Sequence, residues 1–120
     1  MSLKPFTENR NALTIQVTSH TVKLQGVLSE FDVRDWFYPV LTRVHEAAVA
    51  TQMQEVVFDI RQLEYANTGL WRSLVLWLRL LRASPTTPYS VRLLSDPVYR
   101  WQKVGLPPLI RLGADRLVVR

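Results

Sequence analysis

Leu13, Ile15 and Val17 alternate with Thr14 and Gln16, and Val22, Leu24 and Val27 continue the rhythm across Lys23, Gln25 and Gly26. Alternation at period two predicts half-buried strands, and the short link from Thr18 to Thr21 predicts a hairpin. From Val33 the period lengthens. Val33, Phe37, Val40, Val44 and Ala48 recur at helical spacing behind Ser29-Glu30-Phe31-Asp32, a capping-box pattern with Asp where Glu or Gln is usual. Pro39 inside this run predicts a kink, or a fresh helix start near Tyr38.

Val56 to Ile60 is a short, almost wholly apolar strand of the kind covered on both faces, with Asp59 at its end bonded to backbone. A helix from about Leu70 to Arg82 follows. At about 100° per residue its Leu70, Leu74, Trp77, Leu78 and Leu81 share one face, with Arg72, Arg79 and Arg82 opposite. Ser84-Pro85-Thr86-Thr87-Pro88 reads as a loop and Ser90 to Leu94 as the next strand. Asp96 caps a helix with Pro97 at its first position, which is expected to run to Val104 and stop at Gly105. Leu117-Val118-Val119 is the last strand. The order predicts a single α/β domain over residues 1–120: a mixed four- to five-stranded sheet, begun by the hairpin, with helices mainly on one face. Residues 1–11 are expected to be a loosely ordered lead-in.

Composition narrows the classes. Cysteine is absent, which removes disulfides, thiolate metal sites and a cysteine nucleophile, and fits a reducing cytoplasm. The N-terminal residues lack an apolar h-region, so no secretory signal is expected. Arg72 and Arg79 interrupt the most apolar segment, leaving it far short of the ~20 residues of a membrane span. Charge is uneven: residues 1–60 hold five Lys and Arg against seven Asp and Glu, and residues 61–120 hold ten against three. Nine of those ten are arginine, which suits a solvated basic face, an acidic protein partner or an anionic ligand. No aromatic-basic stacking motif points to nucleic acid.

Candidate chemistry gathers where the apolar strand gives way to the second helix, at Ala66-Asn67-Thr68-Gly69-Leu70. A helix start leaves backbone N–H groups unpaired, so Asn67 or Thr68 is expected to cap it, and the same place suits an anion or a partner. Gly69 is expected to serve a close approach or an unusual backbone angle. Val75 and Leu76 lie beside the arginines, where neighbouring elements cover them or a partner does. Trp71, off the core stripe, is the candidate interface aromatic, while Trp36 and Trp101 are expected to be packing residues. His20 and His45 lack ligand-spaced companions, so no metal is expected, and no nucleophile–base pair or phosphate-binding loop nominates an enzyme or a cofactor.

A strand ending in Asp, a variable link and a polar pair before Gly69-Leu70 resemble the STAS domain family, the anti-sigma factor antagonists and their relatives. Trp101-Gln102 is similar to a downstream Trp-Gln of one bacterial STAS-like subgroup. The resemblance implies a non-enzymatic bacterial regulator that binds a kinase or other signalling partner and is released by phosphorylation of a hydroxyl at the helix start. The usual acceptor serine falls on Asn67, so Thr68 is the one loop hydroxyl left for a switch, and a locked binding form or a non-switching scaffold stays open. The expected site is the switch loop Asn67, Thr68 and Gly69, with Trp71, Arg72, Val75, Leu76 and Arg79 as partner contacts. A nucleotide- or lipid-phosphate-binding module and a structural STAS-like subunit of a transport complex are the alternatives, and homodimerisation stays open.

Overall fold

The predicted hairpin is there: β2 (Leu13–Val17) and β3 (Thr21–Leu28) pair antiparallel, Val17 opposite Val22 and Leu13 opposite Gly26. In the computed structural model, which describes residues 2–83 and 89–120, the sheet has six strands rather than four or five. The added strand is β1 (Phe6–Arg10), in the segment expected to be loose; it forms an edge antiparallel to β2. Its sequence hides the strand because two of its three inward side chains are charged. The Arg10 guanidinium lies 4.2 Å over the Trp36 ring, and that of Arg43 covers Phe6 at 4.7 Å. Long charged side chains bury their stems in this way while keeping the head polar.

From β3 onward the sheet is parallel: β4 (Glu55–Ala66), β5 (Ser90–Leu94) and β6 (Leu117–Val119) follow in chain order. Each step crosses by a helix, α1 (Val33–Ala50), α2 (Thr68–Ala83) and α3 (Arg100–Gly113), the last followed by a short turn of 3-10 helix. Right-handed crossovers taken in one direction put all three on one face. Phe58 of β4 accordingly meets Phe37 of α1 and Trp77 of α2, at ring separations of 6.4 and 5.9 Å. The other face of β4 carries Glu55, Val57, Asp59 and Arg61 and no helix of the described residues, so this strand is not doubly covered as its sequence suggests. The predicted 84–88 loop lies outside the described residues.

Several boundaries moved for physical reasons. No capping box forms at Ser29, because α1 starts only at Val33 and Asp32, which would close the box, stands outside the helix; Glu30 between them bonds Asn11 (2.7 Å) and Arg10 (3.5 Å). Asp32 instead precedes the helix in the left-handed region, φ 56° and ψ 30°, without a side-chain cap bond. The helix is unbroken through Pro39. Asp96 does accept the Val98 N–H (3.0 Å), but in a turn, and α3 proper begins at Arg100. It then runs past Gly105 and through Pro107 and Pro108 to Gly113, with Leu106 and Leu109 buried. Gly105 is no helix stop: a Cβ there would lie 2.2 Å from Trp71 Cε2, so the glycine makes room for that ring.

Beneath the helices lies a buried polar triad. Tyr89 OH is 2.6 Å from His45 Nδ1 and accepts the Trp77 indole N–H at 3.1 Å. Burial pushes the Tyr89 hydroxyl up to about 12, so it stays a phenol and donates to a neutral His45. Burial also depresses His45 below its ordinary value, against a smaller opposing effect of Glu46. The unfolded chain therefore takes up this proton more readily, and His45 contributes stability above about pH 6.5 that is lost as pH falls through its lowered folded value. Urea midpoints are expected to fall more steeply below pH 6.5 in the wild type than in His45→Gln. Equal slopes would remove His45 from the acid response.

Candidate functional site

The carboxyl ends of β3 and β4 stop side by side, and α1 and α2 start above them. One residue, Asn67, makes the whole link between β4 and α2, since the strand continues to Ala66 through the segment expected to be a variable link. Asn67 is fully engaged. Its N–H donates to Leu28 O (3.0 Å), its Nδ2 donates to Glu30 O (2.8 Å), and its Oδ1 accepts the Gly69 N–H (3.0 Å). It is the cap of α2 and also the tie to the loop before α1, which a serine could perform only in part. Gly69 answers the expected close approach: a Cβ would stand 2.7 Å from Val33 Cβ on α1. Thr68, the first residue of α2, is exposed.

The core stripe of α2 is buried as its periodicity predicts, and Arg72, Arg79 and Arg82 are exposed opposite. Between them Thr68, Trp71, Arg72, Val75, Leu76 and Arg79 line a shallow groove of about 420 Å³, completed by Arg34 of α1. Val75 and Leu76 are half-buried, so their neighbours cover them only partly. Trp71 has two allegiances. It borders the groove, yet its ring packs on Gly105 and stands 5.6 Å from the Trp101 ring, which makes it the seam between α2 and α3 as well as an interface candidate. A second depression of about 570 Å³ joins at Thr68 and Arg72 and holds Asn67, Gly69, Arg34, Glu30, Phe31, Asp32 and Asp35.

Phe31 is the residue that sequence reading missed. It is 92% exposed beside the left-handed Asp32, although it sits inside what looks like a capping box. Its only sequence signal is a large aromatic at a position where such a box tolerates any residue. Asp59 also departs from expectation. It lies in the middle of β4, not at its end, and receives both the Arg61 N–H and a two-pronged guanidinium contact at 3.0 Å. Burial pushes its carboxyl up, but the Arg61 bonds and charge outweigh it and leave the group below the usual carboxylate range. That is a satisfied ion pair on the polar sheet face, distant in the fold from the groove.

Trp101 and Gln102 do structural work at the same end. The β4–β5 pairing ends at Asp59 and Leu94, leaving β4 carbonyls beyond it without a strand neighbour on that side. Gln102 Nε2 donates to Ile60 O (2.8 Å) and Leu63 O (3.2 Å), and Trp101 Nε1 donates to Glu64 O (2.8 Å). The two side chains thus take the place of a missing strand, as buried backbone acceptors require. Trp36 is half-buried on Phe37, a packing residue as expected.

Among the described residues no group of three His, Cys, Asp or Glu could hold a metal ion. No described helix is long and apolar enough to cross a membrane. No protein-family model matches the chain. No curated protein matches it significantly either.

Proposed function

We propose that this chain is a non-enzymatic, STAS-like bacterial regulatory domain that binds a signalling protein through the surface from Asn67 to Leu76, with Thr68 as its switch. The observation that carries the reading is the meeting of Thr68, Trp71, Arg72, Val75, Leu76 and Arg79 in one groove, with the exposed Phe31 in the depression that joins it. Aromatic and arginine anchors among aliphatic side chains are the chemistry of protein interfaces. A phosphate on Thr68 would add about −1.5 to −2 charges at the α2 start, where the helix dipole and Arg72 favour it locally while an acidic partner is repelled. A small-anion site has less support. The Gly69 N–H is already taken by Asn67, and a sheet in simple chain order lacks the strand-order reversal at which open α/β sheets form ligand crevices.

The test is site-directed photo-crosslinking in a bacterial host. A photoreactive phenylalanine analogue at position 31 is expected to give a discrete protein adduct, and the same analogue at exposed Gln25 on the polar sheet face is expected to give none. Val75→Asp should reduce the adduct about ten-fold or more, the effect of losing one interface anchor. Intact mass with and without phosphatase should reveal one phosphate on Thr68, and Thr68→Glu should lower the adduct. Equal labelling at both positions would defeat the docking site, and an adduct insensitive to Thr68→Glu would defeat the switch alone.

A further inference from the structure

We propose that the surface the partner covers extends from α2 across the outer face of α3, and that the partner is a protein whose contact face is acidic and studded with aliphatic side chains. The inference rests on the docking reading above and adds the partner's chemistry and the second helix.

Three observations converge. First, α2 and α3 between them carry Arg72, Arg79, Arg82, Arg100, Lys103 and Arg111 and not one Asp or Glu. None of these six makes an ion pair with a described residue. Three other arginines are answered by carboxylates, Arg10 by Glu30, Arg61 by Asp59 and Arg92 by Glu55. The nearest carboxylates in sequence to α3, Asp96 and Asp115, flank it without entering it. Second, the two helices form one surface, seamed by the Trp71 ring on Gly105 and by Arg82 donating to Leu112 O at 3.3 Å. Third, aliphatic groups are interspersed among the cations. Val104 is 67% exposed, Ile110 43%, and Val75 and Leu76 are half-buried.

A row of cations without ion pairs, with apolar islands among them and the carboxylates of Glu30, Asp32 and Asp35 in the depression that adjoins Arg72, discriminates among occupants. A second copy of this face would bring like charges together, which costs rather than gains. Nucleic acid would satisfy the cations but leave the aliphatics unused. The aromatic rings at the seam, Trp71 and Trp101, are half-buried against each other, so no open stacking platform is offered. An acidic protein surface with aliphatic side chains uses both features. Exposed ion pairs add little affinity each, but a one-signed surface speeds encounter and makes it sensitive to salt.

The test uses fluorescence anisotropy on the whole chain at about 150 mM salt, where surface charge is already screened over about 8 Å. The probes are a labelled Glu/Leu amphipathic peptide of about twenty residues, long enough to lay an apolar face along a groove, polyglutamate of the same length, and duplex DNA. Anionic phospholipid vesicles are assayed by sedimentation. The amphipathic peptide is expected to bind about ten-fold more tightly than polyglutamate or DNA, because it alone fills apolar contacts. Arg111→Glu and Val104→Asp, each confirmed folded by circular dichroism, should each weaken it several-fold. Preference for DNA or vesicles, or no peptide binding, overturns the proposal. Sensitivity to Val75→Asp without sensitivity to the α3 variants also overturns it while leaving the docking reading intact. Loss of the position-31 adduct in the crosslinking assay would instead bring down that reading.

Discussion

Trp77→Ala is expected to cost about 3–5 kcal/mol of unfolding free energy, the range for truncating a buried aromatic. The ring is 1% exposed, stands edge-on to Phe58 at 5.9 Å, and is the one aromatic that α2 sends into the sheet. Its removal would open a cavity between α2 and β4 and take from Tyr89 the N–H that its hydroxyl accepts. Against a total stability of about 5–15 kcal/mol, this leaves a marginal protein. Urea unfolding followed by far-ultraviolet circular dichroism measures it, with Trp77→Phe as the informative companion. The phenylalanine keeps much of the volume and lacks the N–H, so its cost should fall to about 1–2 kcal/mol, near that of one buried hydrogen bond. A loss below about 1 kcal/mol for the alanine variant would mean that the ring is not packed as described.

Gly26→Ala should be the most damaging change in the sheet for its size. Gly26 has φ 103°, and a Cβ there would stand 2.1 Å from the Ala12 carbonyl oxygen. That oxygen also accepts the Val27 N–H at 3.0 Å, so relieving the collision breaks the bond that holds the β1–β2 turn to β3. Backbone strain alone costs about 1–3 kcal/mol, and the lost bond adds to it. The same denaturation experiment tests it, with exposed Gln25→Ala as the neutral comparison. Amide hydrogen exchange should show loss of protection in residues 6–17 before the parallel strands. Unchanged stability would mean that the Ala12 turn yields without cost.

The strands and helices with strong periodicity were legible from the chain. Leu13 to Val17 and the stripe from Leu70 to Leu81 are bound to bury one face by the spacing of apolar residues alone, and Val56 to Ile60 is legible as a strand though not as one covered on a single face. Misreadings arose where a partner outside the local window decides. Phe6 to Arg10 becomes a strand because Trp36 and Arg43 are there to cover it. The capping box at Ser29 does not form: Glu30 within it bonds Asn11, and Asp32, which would close it, stands in the left-handed region before α1. The helix after Asp96 does not end at Gly105 because that glycine faces Trp71. The candidate site divides in the same way. Residues on the exposed side of α2 follow from its period, whereas Arg34 and Phe31 come from a different helix start, 34 or more residues earlier than Thr68.

Determined by the sequence itself were the alternation of strands and helices, the buried stripe of α2, and a helix start at Asn67 and Thr68 with arginines on the outward face. These follow from the spacing of neighbours a few residues apart, where backbone geometry leaves little choice. Only the folded chain decided that β4 carries on to Ala66, that Trp101 and Gln102 stand in for a strand beside it, and that Phe31 reaches the same surface as Thr68. Those outcomes depend on which distant group is close enough to satisfy a carbonyl or cover a ring. Spacing along the chain does not encode that.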